Sequence, residues 1–223
     1  MKKLTLIIPA KNESESLPSV LDELKIYNLN INIILQESDI STIRSVENYP
    51  VNLIYQDNKG YGDALIKGIE TCTTDYFSIF NADGSFNPSE LKNILFYIEK
   101  DNYDFVFGSR YQRNSGSEDD TIITLIGNHI FTWIGRFIFN LNISDILYTF
   151  VVGKTDKAKK LNLKKKDFSF CVELPIKAKA YGMKIISSNS YERKRIAGIK
   201  KVNAIRDGMM ILISMIGLFF KNK

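Results

Sequence analysis

The segment YFSIFNADGSFNP, Tyr76 to Pro88, passes from an apolar run through a polar turn to a helix start. Tyr76–Phe80 has the length and the aromatic character of a buried strand. The run stops at Asn81, and Asp83-Gly84 is a strong turn signal. Pro88 then opens a stretch in which Leu91, Ile94, Leu95 and Ile98 recur at helical spacing. A strand feeding a helix through a polar turn is the unit from which α/β sheets are built. Asp83 has two readings here: a turn residue, or a carboxylate presented at the end of a strand to hold a metal.

The same unit repeats outward from this point. Leu4–Ala10 reads as a buried strand, followed by Leu17, Val20, Leu21 and Leu24 at helical spacing with Pro18 in the first turn. Ile31–Leu35 and Val51–Tyr55 are further strands, and Gly62–Cys72 is helical through Leu65 and Ile69. Tyr103–Gly108 follows the helix after Pro88 as another strand. This alternation predicts a mostly parallel sheet covered by helices on both faces. Ligands of such sheets bind beyond the carboxyl ends of the strands, where Pro9, Glu37, Asp83 and Arg110 fall.

The 223 residues suit one sizeable domain, and 44% hydrophobic with 25% charged residues supplies a real core. A net charge of +5 favours an anionic partner: phosphorylated metabolite, nucleic acid or membrane surface. Cys72 and Cys171 have no metal-ligand spacing, and His129 is the only histidine, which argues against zinc. Nucleic acid is disfavoured, because the basic tracts lack an interleaved stacking platform. No signal peptide is visible, and no apolar run reaches the ~18 residues of a transmembrane helix. The expectation is a cytoplasmic protein.

The second half differs in character. Residues 121–141 place Ile123, Ile126, Ile130, Ile134, Phe137 and Leu141 on one helical face, with Trp133 at its border. Lysines cluster from Lys154 to Lys166, ERKRIAGIKK (Glu192–Lys201) is basic, and Met209–Phe220 is an apolar run. One domain is expected, divided into a first half (1–112), a second half (113–208) and a closing apolar interfacial segment (209–223).

Several of these stretches together resemble the family 2 glycosyltransferases of the GT-A fold. LIIPAKNESESLP is similar to the family's opening strand and turn, and NKGYGDALIKGIETCTTDYFSIFNADGSFNP to its central block ending in the metal-binding Asp-x-Asp. DFVFGSRY resembles the strand ending in Gly-Ser-Arg, FCVELPIKAKAYGMKI the helix bearing a glutamate, and ERKRIAGIKKVNAIRDG the late Arg-x-x-Gly-x-x-Lys segment. The nearest branch is that of dolichol-phosphate mannosyltransferase and other polyprenyl-phosphate glycosyltransferases. The motifs run in family order from about residue 4 to 212.

The departures are specific. Asn81 stands where the family has its first metal-site aspartate, Gln36-Glu37 replaces Asp-Asp, Thr149 and Val151 replace a glycine and a cation, and Lys200 replaces a serine.

The resemblance implies a metal-dependent, inverting hexosyltransferase that moves a sugar from a UDP- or GDP-sugar to a polyprenyl or dolichyl phosphate. It implies Mg2+ or Mn2+ held by Asp83, Asn81 and Ser85, which offer one charged and two neutral oxygens suited to a hard cation. It puts Pro9, Ala10, Asn12, Glu13, Glu37, Lys59, Gly60, Gly62, Asn81, Ala82 and Asp83 at the donor. Gly60 and Gly62 would let backbone approach the ligand. Arg110, Arg195 and Lys201 would meet the acceptor phosphate, with Asp83, Asp145 and Arg110 catalytic. A phosphate acceptor is already largely ionised near neutral pH, so orienting cations matter more than a strong base. Asp145 has a second reading as a turn or cap, and Glu173 has two: a pair with one of these arginines, or a purely structural ion pair.

The apolar helix faces and clustered lysines suit a peripheral position on an anionic membrane, at its cytoplasmic face. Two alternatives stand beside this reading: a saccharide acceptor in cell-surface polysaccharide assembly, and a non-catalytic nucleotide-binding or scaffold member.

Overall fold

The computed structural model describes residues 3–198 and 201–221, so the Lys200 replacement lies outside the described residues. The elements in chain order are β1 (Leu4–Pro9), α1 (Leu17–Leu24), β2 (Asn30–Leu35), α2 (Ile40–Ser45), β3 (Asn52–Tyr55), α3 (Tyr61–Thr71) and β4 (Tyr76–Ile79). They continue as α4 (Leu91–Asp101), β5 (Phe105–Ser109), β6 (Gly116–Ser117), α5 (Ile122–Ile138), β7 (Val151–Lys154) and α6 (Thr155–Lys160). The last are α7 (Phe170–Ala180), β8 (Ile185–Asn189), β9 (Tyr191–Glu192) and α8 (Ala204–Lys221).

The main sheet has seven strands in the order β3-β2-β1-β4-β7-β5-β8. β1 pairs in parallel with β2 and β4, and β5 with β8, while β7 runs antiparallel between β4 and β5. Side-chain alternation splits the core into two layers. Ile7, Phe77, Phe105 and Phe107 pack under the layer containing α3, α7 and α8. Leu6, Ile8, Val106 and Val152 pack under α1 and α4. The expected mostly parallel α/β sheet covered on both faces is what forms.

Two features depart from the expected pattern. Helix α5 turns Asn128, Thr132 and Gly135 to the core and leaves Ile122, Ile123, Ile126, Ile130, Trp133 and Phe137 more than half exposed. The Thr132 hydroxyl accepts the Ile146 N–H at 3.2 Å, and a Cβ at Gly135 would stand 2.8 Å from Ile146 Cδ1, so small and polar residues are what this inner face accommodates. Of the predicted apolar face, Ile134 and Leu141 pack on the core instead.

Helix α8 also differs from a loose interfacial segment. Ile211, Met215 and Leu218 are buried in the same core layer, while Ile205, Met209, Ile213, Ile216 and Phe220 form an outward stripe. α8 packs beside α5, with Gly208 facing Phe131 and Phe219 edge-on to Phe139 at 6.3 Å. Among the described residues no helix is long and apolar enough to cross a membrane.

Candidate active site

The turn after β4 lies at the carboxyl end of the sheet. Asp83 Oδ1 accepts the Ser85 N–H at 3.0 Å, and Asn81 Nδ2 donates to Ser85 Oγ at 3.1 Å. These bonds turn Asn81 Oδ1 and Asp83 Oδ2 into the oxygens left for a cation. A positive charge already stands there: Arg195 Nη1 lies 3.5 Å from Asp83 Oδ2. Among the described residues no group of three or more histidine, cysteine or acidic side chains could hold a metal. The available set is one carboxylate with neutral oxygens, which fits a hard divalent ion whose other positions go to phosphate and water.

The chain after β9 runs alongside this turn. The Arg193 N–H donates to Ser85 O and the Ile196 N–H to Asp83 O, both at 2.8 Å. Gly84 has φ of +82°, a backbone conformation that favours glycine.

At the end of β1, Pro9 and Ala10 lead into Asn12, whose φ of 52° is left-handed. Its N–H donates to Asp39 Oδ2 at 2.7 Å, and the Glu13 N–H donates to Thr42 Oγ1 at 3.0 Å. Glu13 is buried, accepts the Ser16 hydroxyl at 2.9 Å, and pairs through its other oxygen with Lys201 Nζ. Asp39 was not singled out from the sequence, although an aspartate before a short helix is an N-cap signal and its side chain does accept the Thr42 N–H. Burial opposes ionisation of Asp39, but the Asn12 and Thr42 donors outweigh it and lower its pKa. Glu37 is exposed, as is Lys59, and Ala82 is buried.

The two glycines of the NKGYG turn meet the protein's own backbone. A Cβ at Gly60 would stand 2.1 Å from Lys166 O, and one at Gly62 would stand 2.1 Å from Lys165 O. The close approach they permit in the structure is to the backbone of the lysine-rich loop. That loop is fixed by Glu173, which accepts the N–H groups of Lys164 and Lys165 and pairs with Lys177 at 2.8 Å. Glu173 pairs with no arginine among the described residues.

Arg110 and Asp145 form the centre of a buried ion-pair cluster. Arg110 grips Asp145 with Nε at 2.7 Å and Nη2 at 3.1 Å, and its Nη1 reaches Glu192 at 3.0 Å and Asp120 at 3.3 Å. The Tyr148 ring lies 4.6 Å from the guanidinium carbon. Burial alone would lower the Arg110 pKa, but Asp145 and Glu192 outweigh it and hold it well above the usual value. Asp145 is 0% exposed. In this structure Arg110 faces carboxylates instead of an open cleft, and Asp145 is a buried counter-ion instead of a solvent-facing base. Val151 is buried in β7, so no cation stands at that family position, and the Thr149 hydroxyl lies 2.7 Å from the Tyr61 hydroxyl.

Sequence reasoning also missed Ser117–Asp120. Ser117 binds Glu192, Glu118 accepts from Tyr191, Asp119 holds Arg195, and Asp120 holds Arg110. Ser117, Glu118 and Asp119 thus align the late segment while Asp120 holds Arg110, a pattern no periodicity reveals.

Residues 5–161 match the family described as Glycosyl transferase family 2. The chain belongs to this family. It is thus a glycosyltransferase. An uncharacterized glycosyltransferase of Mycobacterium tuberculosis is 24% identical over 210 residues, covering 94% of each chain. Dolichol-phosphate mannosyltransferase of Pyrococcus furiosus is 29% identical over 127 residues, 52% of this chain and 36% of that protein. Among solved structures, glucosyl-3-phosphoglycerate synthase of Mycobacterium tuberculosis, crystallised with Mn2+, UDP-glucose and phosphoglyceric acid, superposes with a TM-score of 0.76. It is 11% identical, with 98% of this chain and 80% of that chain covered, and shares the fold.

Proposed function

We propose that this family 2 glycosyltransferase moves a sugar, with inversion, from a UDP- or GDP-sugar to a polyprenyl or dolichyl phosphate at the cytoplasmic face of a membrane. The observation that carries the acceptor class is the pair of outward apolar stripes on α5 and α8, which a soluble acceptor would not require. The nearby basic segment supplies cations for phosphate.

Asp83, Asn81 and Ser85 would hold Mg2+ or Mn2+, with Ser85 Oγ exchanging its bond from Asn81 for the ion, and a bound ion would supply charge to neutralise the departing diphosphate. Crystals of the synthase named above contain Mn2+ and UDP-glucose, which supports the choice of ion. Glu13 and Asp39 frame the nucleoside end, with Glu13 buried enough to accept ribose or base hydrogens strongly. Arg195 and Lys201 orient the acceptor phosphate, which attacks as an anion and needs no strong base. Arg110 acts through Asp145, Asp120 and Glu192 by fixing the loop that carries Arg195.

The test is transfer from radiolabelled UDP- and GDP-sugars to short polyprenyl phosphates and to soluble saccharides, with and without Mn2+. Label appearing in the lipid phase only with metal supports the proposal. Label on saccharide alone moves the acceptor class, and no transfer or donor binding points to a scaffold member.

A further inference from the structure

Asp83 is paired with an arginine whose hold on it is partial. Arg195 Nε and Nη2 grip Asp119 at 3.3 and 2.9 Å, which leaves Nη1 to reach Asp83 Oδ2 at 3.5 Å. The two-point grip is the stronger contact, because a planar guanidinium matches one carboxylate fork at a time. All three side chains are mostly buried, at 22% exposure for Arg195, 19% for Asp119 and 14% for Asp83, so solvent screens them weakly. The backbone bonds of Arg193 to Ser85 and of Ile196 to Asp83 keep the arginine from drifting away.

We infer that Arg195 is the built-in counter-ion of Asp83, displaced when the divalent cation enters, and that Asp119 is the positioning residue that retains it for phosphate. This rests on the metal reading proposed above. Two carboxylates share one guanidinium, so the set accommodates a second positive charge. When a divalent cation claims Asp83, Arg195 stays on Asp119 and its Nη1 turns outward as a free donor. The site exchanges one positive charge for another and never leaves Asp83 bare. Metal binding without donor is therefore held down by competition, and phosphate gains a donor as the metal arrives.

The experiment titrates the full chain with Mn2+ alone, following free Mn2+ by electron paramagnetic resonance, with thermal melts to verify folding. Arg195→Gln is expected to bind Mn2+ about tenfold tighter than the unsubstituted chain, because a like charge is removed from a weakly screened site. Arg195→Lys should fall between the two, and serves if the glutamine variant does not fold. Asp119→Asn is expected to bind several-fold more weakly, since the guanidinium is left to Asp83 alone. Opposite signs are the signature, as a loop that only lost order would bind less in both variants. If Arg195→Gln and Arg195→Lys bind no tighter while Asp83→Asn abolishes binding, the counter-ion role is overturned and the metal site stands. If Asp83→Asn binds Mn2+ as well as the unsubstituted chain, the metal reading and this inference fall together.

Discussion

Asn81 and Asp83 differ by one charge in a turn whose geometry is otherwise set by Ser85, so their substitutions isolate that charge. Asn81→Asp is expected to tighten Mn2+ binding roughly tenfold, and Asp83→Asn to remove most metal-dependent transfer, because affinity for hard cations follows ligand charge. Equal Mn2+ affinity in both variants would return Asp83 to a turn role. Arg110 poses the opposite problem, a cation needed by its neighbours. Arg110→Ala leaves Asp145, Glu192 and Asp120 without their shared partner. It should cost about 3–5 kcal/mol, the usual penalty for an uncompensated buried charge. Urea unfolding reads this directly, and a shift below 1 kcal/mol would show that the cluster relaxes. Arg110→Lys should recover only part, since an ammonium lacks the fork that spans Asp145. The charge of Asp83 was readable from the sequence as a turn carboxylate, whereas the partners of Arg110 were not. They come from residues 10, 35 and 82 positions away, a distance over which local pattern carries no information.

At the scale of elements, the legible ones were those with a single environment. β1, β2, β4, β5 and α3 have one core face or none exposed, and their apolar periodicity marks them within a residue or two, while α4 begins at Leu91, three residues after the expected Pro88. β7 escaped because Val151–Lys154 is short and belongs to an antiparallel insertion between strands distant in sequence. α5 was legible as a helix, and its orientation was legible only in part, because an inner face of Asn128, Thr132 and Gly135 inverts the usual pattern. Asp104 shows how the inserted strand is fixed. Its carboxylate accepts the Lys184 N–H at 2.9 Å and meets Lys154 Nζ at 3.1 Å, tying together the beginnings of β5 and β8 and the end of β7. Burial opposes its ionisation, yet the Lys184 and Lys154 donors outweigh this and lower its pKa. A depressed carboxylate contributes stability above its unfolded pKa of about 3.9 and loses it as the pH falls through the lower folded value. Melting temperature should thus fall more steeply below about pH 4 in the unsubstituted chain than in Asp104→Asn. Parallel curves for the two would remove Asp104 from the acid sensitivity.

Across the whole molecule, α8 joins two roles that the sequence presents as one apolar run. Its inner residues Ile211, Met215 and Leu218 complete the core layer, while Ile213 and Ile216 on the outer stripe are more than half exposed. The two sets are separable by experiment. Deleting residues 209–223 removes three buried side chains, each worth about 2–5 kcal/mol by truncation to alanine. Their sum is of the order of a typical domain's whole stability, about 5–15 kcal/mol. Truncation is therefore expected to abolish the cooperative thermal transition. Ile213→Ser with Ile216→Ser touches only the outer stripe and should leave the melting temperature within a few degrees. On the proposed membrane reading, the same pair should co-sediment less with anionic vesicles, as should Trp133→Ser on the α5 stripe. Binding of the unsubstituted chain should weaken as salt rises, because attraction between lysines and headgroups is screened. Unchanged recovery with vesicles for all three substitutions, in well-folded protein, would detach the stripes from the membrane and leave the acceptor to be sought among soluble saccharides.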